Sequence, residues 1–462
     1  MIGFVGGLGV AVPTGTASRQ DGALRVRQRC VPLARQTRRA AVRMTAVAPS
    51  QTPATAEPGR SAGVKKLGVL LLNLGGPERP EDVQGFLYNL FSDPDIIRLP
   101  RLLSPLQSFL ANEIARSRAP KSRAAYESIG GGSPIVRITN QQASALEDEL
   151  LARGYSAKVF VGMRYWHPFT EEAVEEIKAY GPDRLVILPL YPQYSISTSG
   201  SSLRVLDRLF KKEKEAFSPL KIDHTVVPEW YQRPGYVHAQ AKLIKEQLAT
   251  LTDEEKKSTK VMFSAHGVPE SYIEAGDPYQ QQIEECCKLI MQEVEDTDWT
   301  LSYQSRVGPV QWLQPYTDVV LEELGKEGLQ NLVVVPISFV SEHIETLEEI
   351  DIEYRELAHE SGIKKFLRVP ALDCNPDFVK DLADMSLEAL EKPSLRVGEA
   401  MNLSIKGDAQ DPADMPDVDI AFGFNNSAET LNGRLAMLAL AALTSANFVS
   451  GQGMNMFSNL LH

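Results

Sequence analysis

The sequence predicts an α/β protein built from two doubly wound halves, and three observations carry that prediction. Apolar runs of strand length recur along the chain, charged helix-prone segments separate them, and the alternating pattern occurs twice. Unbroken Val/Ile/Leu runs suit strands buried on both faces, which implies parallel sheets covered by helices.

Taken in order, residues 1–60 stand apart. They hold nine arginines and no lysine, against only Asp21 and Glu57. An Arg-rich, acid-poor start with scattered Ser, Thr and Ala reads as an organelle transit peptide; the plainer alternative is a basic tail without an address. The whole chain carries −12, so the remainder carries −19. That balance argues against nucleic acid as a partner and offers no basic face for a membrane.

The core begins near Lys65. Strands are expected at "LGVLLLNL" (67–74), "KVFVGM" (158–163), "RLVILPL" (184–190), "KVMFSA" (260–265), "TLSYQS" (300–305) and "NLVVVPISFV" (331–340). Segments such as "PFTEEAVEEIKAYG" and "PYQQQIEECCKLIMQEVED" supply helices between them. "VLLLNLGGP" (69–77) echoes "VMFSAHGVP" (261–269), and "LVILPL" echoes "LVVVPI". Two related halves, 65–235 and 236–393, therefore meet somewhere near residues 225–240. Residues 394–420, with "GDAQDPADMPDVDI", read as an acidic linker. Within 421–462 a helix-forming segment runs from Ser427 to about Val449, uncharged from Leu435. It reads as a short transmembrane-like helix, or as a terminal helix docked on the core.

Four cysteines, Cys30, Cys286, Cys287 and Cys374, show no C-x-x-C spacing, so neither a thiolate metal site nor a disulfide framework is expected. Ligands of open α/β sheets bind beyond the carboxyl ends of strands. His266, after "VMFSA", and His343, after "VVVPISFVSE", both fall there. His343 opens onto "SEHIETLEEIDIE" (341–353), six carboxylates without a lysine or arginine. On a helix Ile344, Leu347, Ile350, Tyr354 and Leu357 form an apolar stripe, and Glu345, Glu349 and Glu353 form a second one roughly opposite. The acidic stripe is either a solvated face or a file of hard oxygen ligands that passes a cation or protons. His343 and Glu345, at i and i+2, face apart on a regular α-helix, so sharing a site requires extended chain or a π-type irregularity there. The leucine-rich segment 96–120 reads as an amphipathic pair or as a greasy lip with cations at its rim; "YESIGGGSP" follows with turn-forming glycines.

Together "LLLNLGGPERPEDVQGFLYNLFSDPDIIRLP", "YESIGGGSPI", "MRYWHPFTEEA", "YPQYSISTSGSS", "FSAHGVPESYIEAGDPY", "SRVGPVQWLQPYTD" and "PISFVSEHIETLEEIDIEY" closely resemble ferrochelatase. The resemblance spans Lys65 to the low 390s. It implies two Rossmann-like domains with a cleft between them, and insertion of Fe²⁺ into protoporphyrin IX. His266 matches the family's active-site histidine, which binds metal or accepts pyrrole protons. His343 and Glu345 match the second catalytic pair, with Glu345 beside His266 as a metal contact. Glu349 and Glu353 match the acidic path. Arg118, Tyr126 and Ser133 match groups holding the porphyrin and its propionates, while Arg164, Tyr165 and Trp312 match residues lining the macrocycle or the metal approach. A neutral histidine suits acceptance of the two pyrrole protons, and a carboxylate file suits their relay.

The resemblance implies no cofactor, since Fe²⁺ is a substrate, and with Cys374 the last cysteine no [2Fe–2S] cluster is expected. The tail "SAETLNGRLAMLALAAL" resembles the chlorophyll a/b-binding helix of light-harvesting-like proteins. In that motif Glu429 and Asn432 would ligate chlorophyll magnesium and Arg434 would pair with the glutamate of a facing helix. The implied address is the chloroplast and its thylakoid membrane, with chlorophyll or carotenoid on the tail and a homodimer or light-harvesting-like partner through it. Two other readings remain: a chelatase for coproporphyrin III or Co²⁺, and a non-catalytic tetrapyrrole carrier at photosystem assembly.

Overall fold

A computed structural model describes residues 66–404, apart from 95, 98, 100, 219, 220 and 307–309. The expected transit peptide, most of the acidic linker and the pigment-binding tail with Glu429, Asn432 and Arg434 lie outside these residues. Among the described residues no helix is long and apolar enough to cross a membrane.

Two parallel four-stranded sheets carry the fold. The first comprises β1 (Leu67–Asn73), β2 (Ala157–Met163), β3 (Arg184–Pro189) and β4 (Asp223–Val226), in the order β2-β1-β3-β4. The second comprises β5 (Thr259–His266), β6 (Asp298–Gln304), β7 (Asn331–Pro336) and β8 (Lys365–Arg368), in the order β6-β5-β7-β8. The echoing segments thus become corresponding strands: β1 and β5 each enter at an inner position, flanked by the next two strands. The six apolar runs form the inner strands and one edge of each sheet. The other edges, "DHTV" and "KFLR", are four residues long and carry polar or charged groups, so no apolar run marks them.

Burial on both faces is visible along β1. Leu67, Val69 and Leu71 enter one core, while Leu70 and Leu72 enter another with Phe160, Ile177 and Leu206. Alternation of this kind follows from the two-residue period of a strand. The second sheet repeats it, with Val261, Phe263 and Ala265 on one side and Met262 on the other. Val69 and Val261 belong to the same central core, so the two sheets share one apolar layer filled by the helices Ile135–Ala152, Pro234–Ala249, Tyr279–Val294 and Pro376–Glu391. Each fully buried aliphatic side chain there contributes about 1.5–3 kcal/mol.

The last described segment differs from expectation. Residues 394–404, placed by the sequence at the start of a linker, return to the first sheet. The Val226 amide donates to the Leu395 carbonyl at 2.9 Å, Arg396 pairs with Asp223, and Val397 and Ala400 of the helix Val397–Ser404 are buried. Proline and charge at 392–396 read as linker because this packing is made by few side chains.

Candidate active site

The carboxyl ends of both sheets face one region. His266 is the last residue of β5, and its imidazole Nδ1 lies 2.9 Å from Glu345 Oε2, with both residues buried. With the Nδ1–H donating to the carboxylate, the lone pair of the neutral ring sits on Nε2. Burial works to raise the Glu345 carboxyl, but the facing His266 and then His343 outweigh it and hold the group below the usual carboxylate range.

His343 lies beyond β7, one residue before the helix begins, and its carbonyl accepts from the Leu347 N–H at 2.9 Å. Its Nδ1 faces the Ser341 carbonyl at 3.0 Å, which fixes that nitrogen as the donor. Its backbone N–H donates to Thr346 Oγ1 at 3.0 Å. Burial pushes this imidazole below its ordinary pKa, so the ring is neutral at physiological pH. From Glu345 to Tyr354 the chain is a π-helix. Hydrogen bonding from i to i+5 places Tyr354 over Glu349, and the phenol donates to Glu349 Oε1 at 3.0 Å. Of the two routes that would let His343 and Glu345 share a site, the π-type irregularity is present: the acidic stretch winds as a π-helix.

The acidic stripe runs from the interior outward. Glu345 and Glu349 are 4% and 3% exposed, whereas Glu353 is exposed. Glu349 Oε2 accepts from Ser305 Oγ at 2.6 Å and Gln304 Nε2 at 3.0 Å. Burial, reinforced by the charge of Glu345, holds the Glu349 carboxyl well above the usual range. A solvated face would leave these groups in water, and this one does not.

His343, Ile344 and Glu345 line a cavity of about 50 Å³ together with Leu74 and Gly75 beyond β1, Ser133, and two helices, Val83–Ser92 and Gln107–Ser128. The second helix contributes Arg118 and Tyr126 to the wall. Arg118 stacks its guanidinium 5.3 Å from the Phe91 ring centroid. Near the start of the same helix Leu106 and Phe109 are 52% and 68% exposed, the apolar lip that the sequence suggested. Ser133 is brought to the wall by the glycine turn: its N–H donates to the Pro77 carbonyl at 2.7 Å. A Cβ on Gly132 would run into the Glu78 carbonyl oxygen, and Gly131 sits at φ +100°, so this turn needs glycine for close approach and for backbone shape.

Residues 66–390 match the Ferrochelatase family. The chain belongs to that family. It is 53% identical over 410 residues to Ferrochelatase-2, chloroplastic, of Oryza sativa subsp. indica, covering 85% of this chain and 77% of the relative. It is 56% identical over 390 residues to the Ferrochelatase of Synechococcus elongatus, covering 84% of this chain and 97% of that one. Ferrochelatase-2, chloroplastic, of Arabidopsis thaliana is 52% identical over 409 residues, covering 84% of this chain and 78% of the relative.

In this ferrochelatase-family chain the structure places Arg118, Tyr126, Ser133, His343 and Glu345 around one cavity, with His266 joined to it through Glu345. Arg164 and Tyr165 stand apart from that lining. Arg164 Nη2 and the Tyr165 hydroxyl both donate to Asp93 Oδ2 at 2.6 Å, and Ser201 Oγ reaches the same oxygen at 2.9 Å. Trp312 is buried and bridges to Pro269, packing over Gly267 next to His266. Sequence reasoning did not single out Gln304 or Ser305 and read Tyr354 as part of the apolar stripe, yet all three donate to Glu349. Their types carry no signal apart from the fold that brings them together. A larger cleft of about 500 Å³ lies between residues 225–234 and 385–395, but its charged wall is self-paired: Arg233 binds Asp381 and Glu388.

Proposed function

We propose that the ferrochelatase reaction, insertion of Fe²⁺ into protoporphyrin IX to give protohaem with loss of two protons, runs at the His266–Glu345–His343 cluster. The observation that carries this reading is the buried stripe. Glu345 and Glu349 are enclosed beside two strand-end histidines, and the file ends at exposed Glu353. Carboxylates are costly to enclose even with hydrogen-bond partners, and a path for a cation or for protons gives them work.

On this reading the porphyrin lies against Leu74, Arg118, Tyr126 and Ser133, with Arg118 placed to meet a propionate. Arg164, Tyr165 and Trp312, which the resemblance places on the macrocycle or the metal approach, stand outside that lining. At about 50 Å³ the cavity does not enclose a tetrapyrrole, so on this reading the macrocycle extends beyond it. His266 and Glu345 handle the metal, and the pyrrole protons pass to a neutral histidine and outward along Glu349 and Glu353. A carboxyl held above the usual range, as at Glu349, is protonated more readily than an ordinary carboxylate and so can take and return a proton. The Arg-rich leader and the chloroplastic plant relatives support a plastid address, and the uncharged tail supports thylakoid association, with Glu429, Asn432 and Arg434 as its pigment-binding candidates.

The test is Fe²⁺ insertion by purified full-length protein under anaerobic conditions, followed by Soret absorbance. Protohaem formation from protoporphyrin IX supports the reading. Turnover with coproporphyrin III and none with protoporphyrin IX would reverse the choice of substrate.

A further inference from the structure

β7 ends at Pro336, which pairs with Ser264, so the β5 ladder on that side stops before His266. The peptide groups of His266 on this edge lack a strand partner and are met instead by two side chains. The His266 N–H donates to Ser338 Oγ at 2.9 Å, and the His266 carbonyl accepts from the Tyr279 hydroxyl at 2.9 Å. The two hydroxyl oxygens lie 2.7 Å apart. Only one proton arrangement satisfies all three contacts. Ser338 accepts from His266 and donates to Tyr279, and Tyr279 donates back to the His266 carbonyl. The ring is closed, with each proton used once, and Tyr279 and Ser338 are 5% and 9% exposed.

The backbone of Tyr279 is anchored to the first half of the fold through Asp277. Tyr279 N–H donates to Asp277 Oδ1 at 3.0 Å, while Asp277 Oδ2 accepts from Ser195 Oγ at 2.9 Å and from the Ile196 N–H at 2.8 Å. Neither hydroxyl is among the groups lining the cavity of His343 and Glu345.

We propose that Tyr279 and Ser338 are positioning residues for metal insertion: their hydroxyls replace the missing strand at His266 and hold its peptide so that the imidazole stays on Glu345. This rests on the reading that His266 takes part in the reaction. Supporting groups behind a metal-handling histidine, when removed, cost activity by about 10- to 100-fold. Because the ring is one unit, its two members are not independent.

The experiment measures kcat and KM for Fe²⁺ insertion by Tyr279→Phe, Ser338→Ala and the double variant, alongside thermal unfolding, with His266→Ala as control. Each single variant is expected to lose about 10- to 100-fold in kcat with KM for protoporphyrin unchanged, and the double variant to lose no more than the worse single one. Wild-type kcat per folded molecule in both single variants, even with a lowered Tm, overturns the proposal; so do losses that multiply in the double variant. An inactive His266→Ala with fully active ring variants sinks this inference alone. A fully active His266→Ala sinks the reading beneath it.

Discussion

Replacing Glu345 by glutamine probes the charge at the centre of the site while keeping its shape. Glu345 Oε2 lies 2.9 Å from His266 Nδ1, and both residues are buried. The amide oxygen still accepts from the imidazole N–H, so the ground state with neutral His266 loses little. A state in which His266 carries positive charge, from a proton or from metal at Nε2, loses its counter-charge. At an effective dielectric of about 20 and charge centres about 4 Å apart, that attraction amounts to ~4 kcal/mol. If the whole of it is felt in the rate-limiting step the rate falls by about 1,000-fold, and if half, by about 30-fold. The assay is Soret-monitored protohaem formation under saturating Fe²⁺, paired with quenching of porphyrin fluorescence to show that binding survives. Glu345→Gln turnover within threefold of wild type would refute the reasoning, since a spectator carboxylate is the only kind whose charge is dispensable.

Other perturbations separate binding, stability and pH. Arg118→Ala removes a cavity-lining guanidinium and should raise KM for protoporphyrin about 10-fold or more with kcat little changed, the scale of a lost charge-assisted hydrogen bond; steady-state kinetics with an unchanged KM would remove Arg118 from the porphyrin contact. Truncation after Pro393 strips the Leu395 backbone bonds, the Arg396–Asp223 pair and buried Val397, so urea unfolding should show a loss of roughly 3–5 kcal/mol; truncation after Ser404 should cost little, and equal stability of the two would contradict the docked helix. Burial and the neighbouring Arg396 push the His224 imidazole down to about 4, with Asp223 and Glu399 opposing. Because the folded-state value is depressed, the stability is present above about pH 6.5 and is lost as pH falls towards 4, about 2 kcal/mol by pH 5. His224→Gln should flatten that part of the stability–pH curve, and an unaltered slope would deny the residue this role.

Much of the fold was legible because burial on both faces writes itself as uninterrupted apolar runs. β1, β3 and β7 are of that kind, whereas β4 and β8 are short edges held by backbone pairing and give no such signature. The repeat "VLLLNLGGP" and "VMFSAHGVP" pointed to two related halves, and the two sheets have the same strand order. At the site, strand-end position singled out His266 and His343. Residue types left the stripe of Glu345, Glu349 and Glu353 undecided, since spacing does not reveal whether a face meets water or protein. The unpaired look of "SEHIETLEEIDIE" also came from reading it alone: Arg368 of β8 binds Glu342 at 2.7 Å, and Arg355, two residues beyond the stretch, binds Asp351. Contacts from distant segments, such as Tyr279 and Ser338 on His266, leave no mark in local sequence.

The most direct measurement is single-turnover Fe²⁺ insertion into protoporphyrin IX by the His266→Ala variant, with porphyrin binding followed in the same sample. The account predicts wild-type binding and no protohaem above the uncatalysed rate. Protohaem formed at near wild-type rate would contradict it.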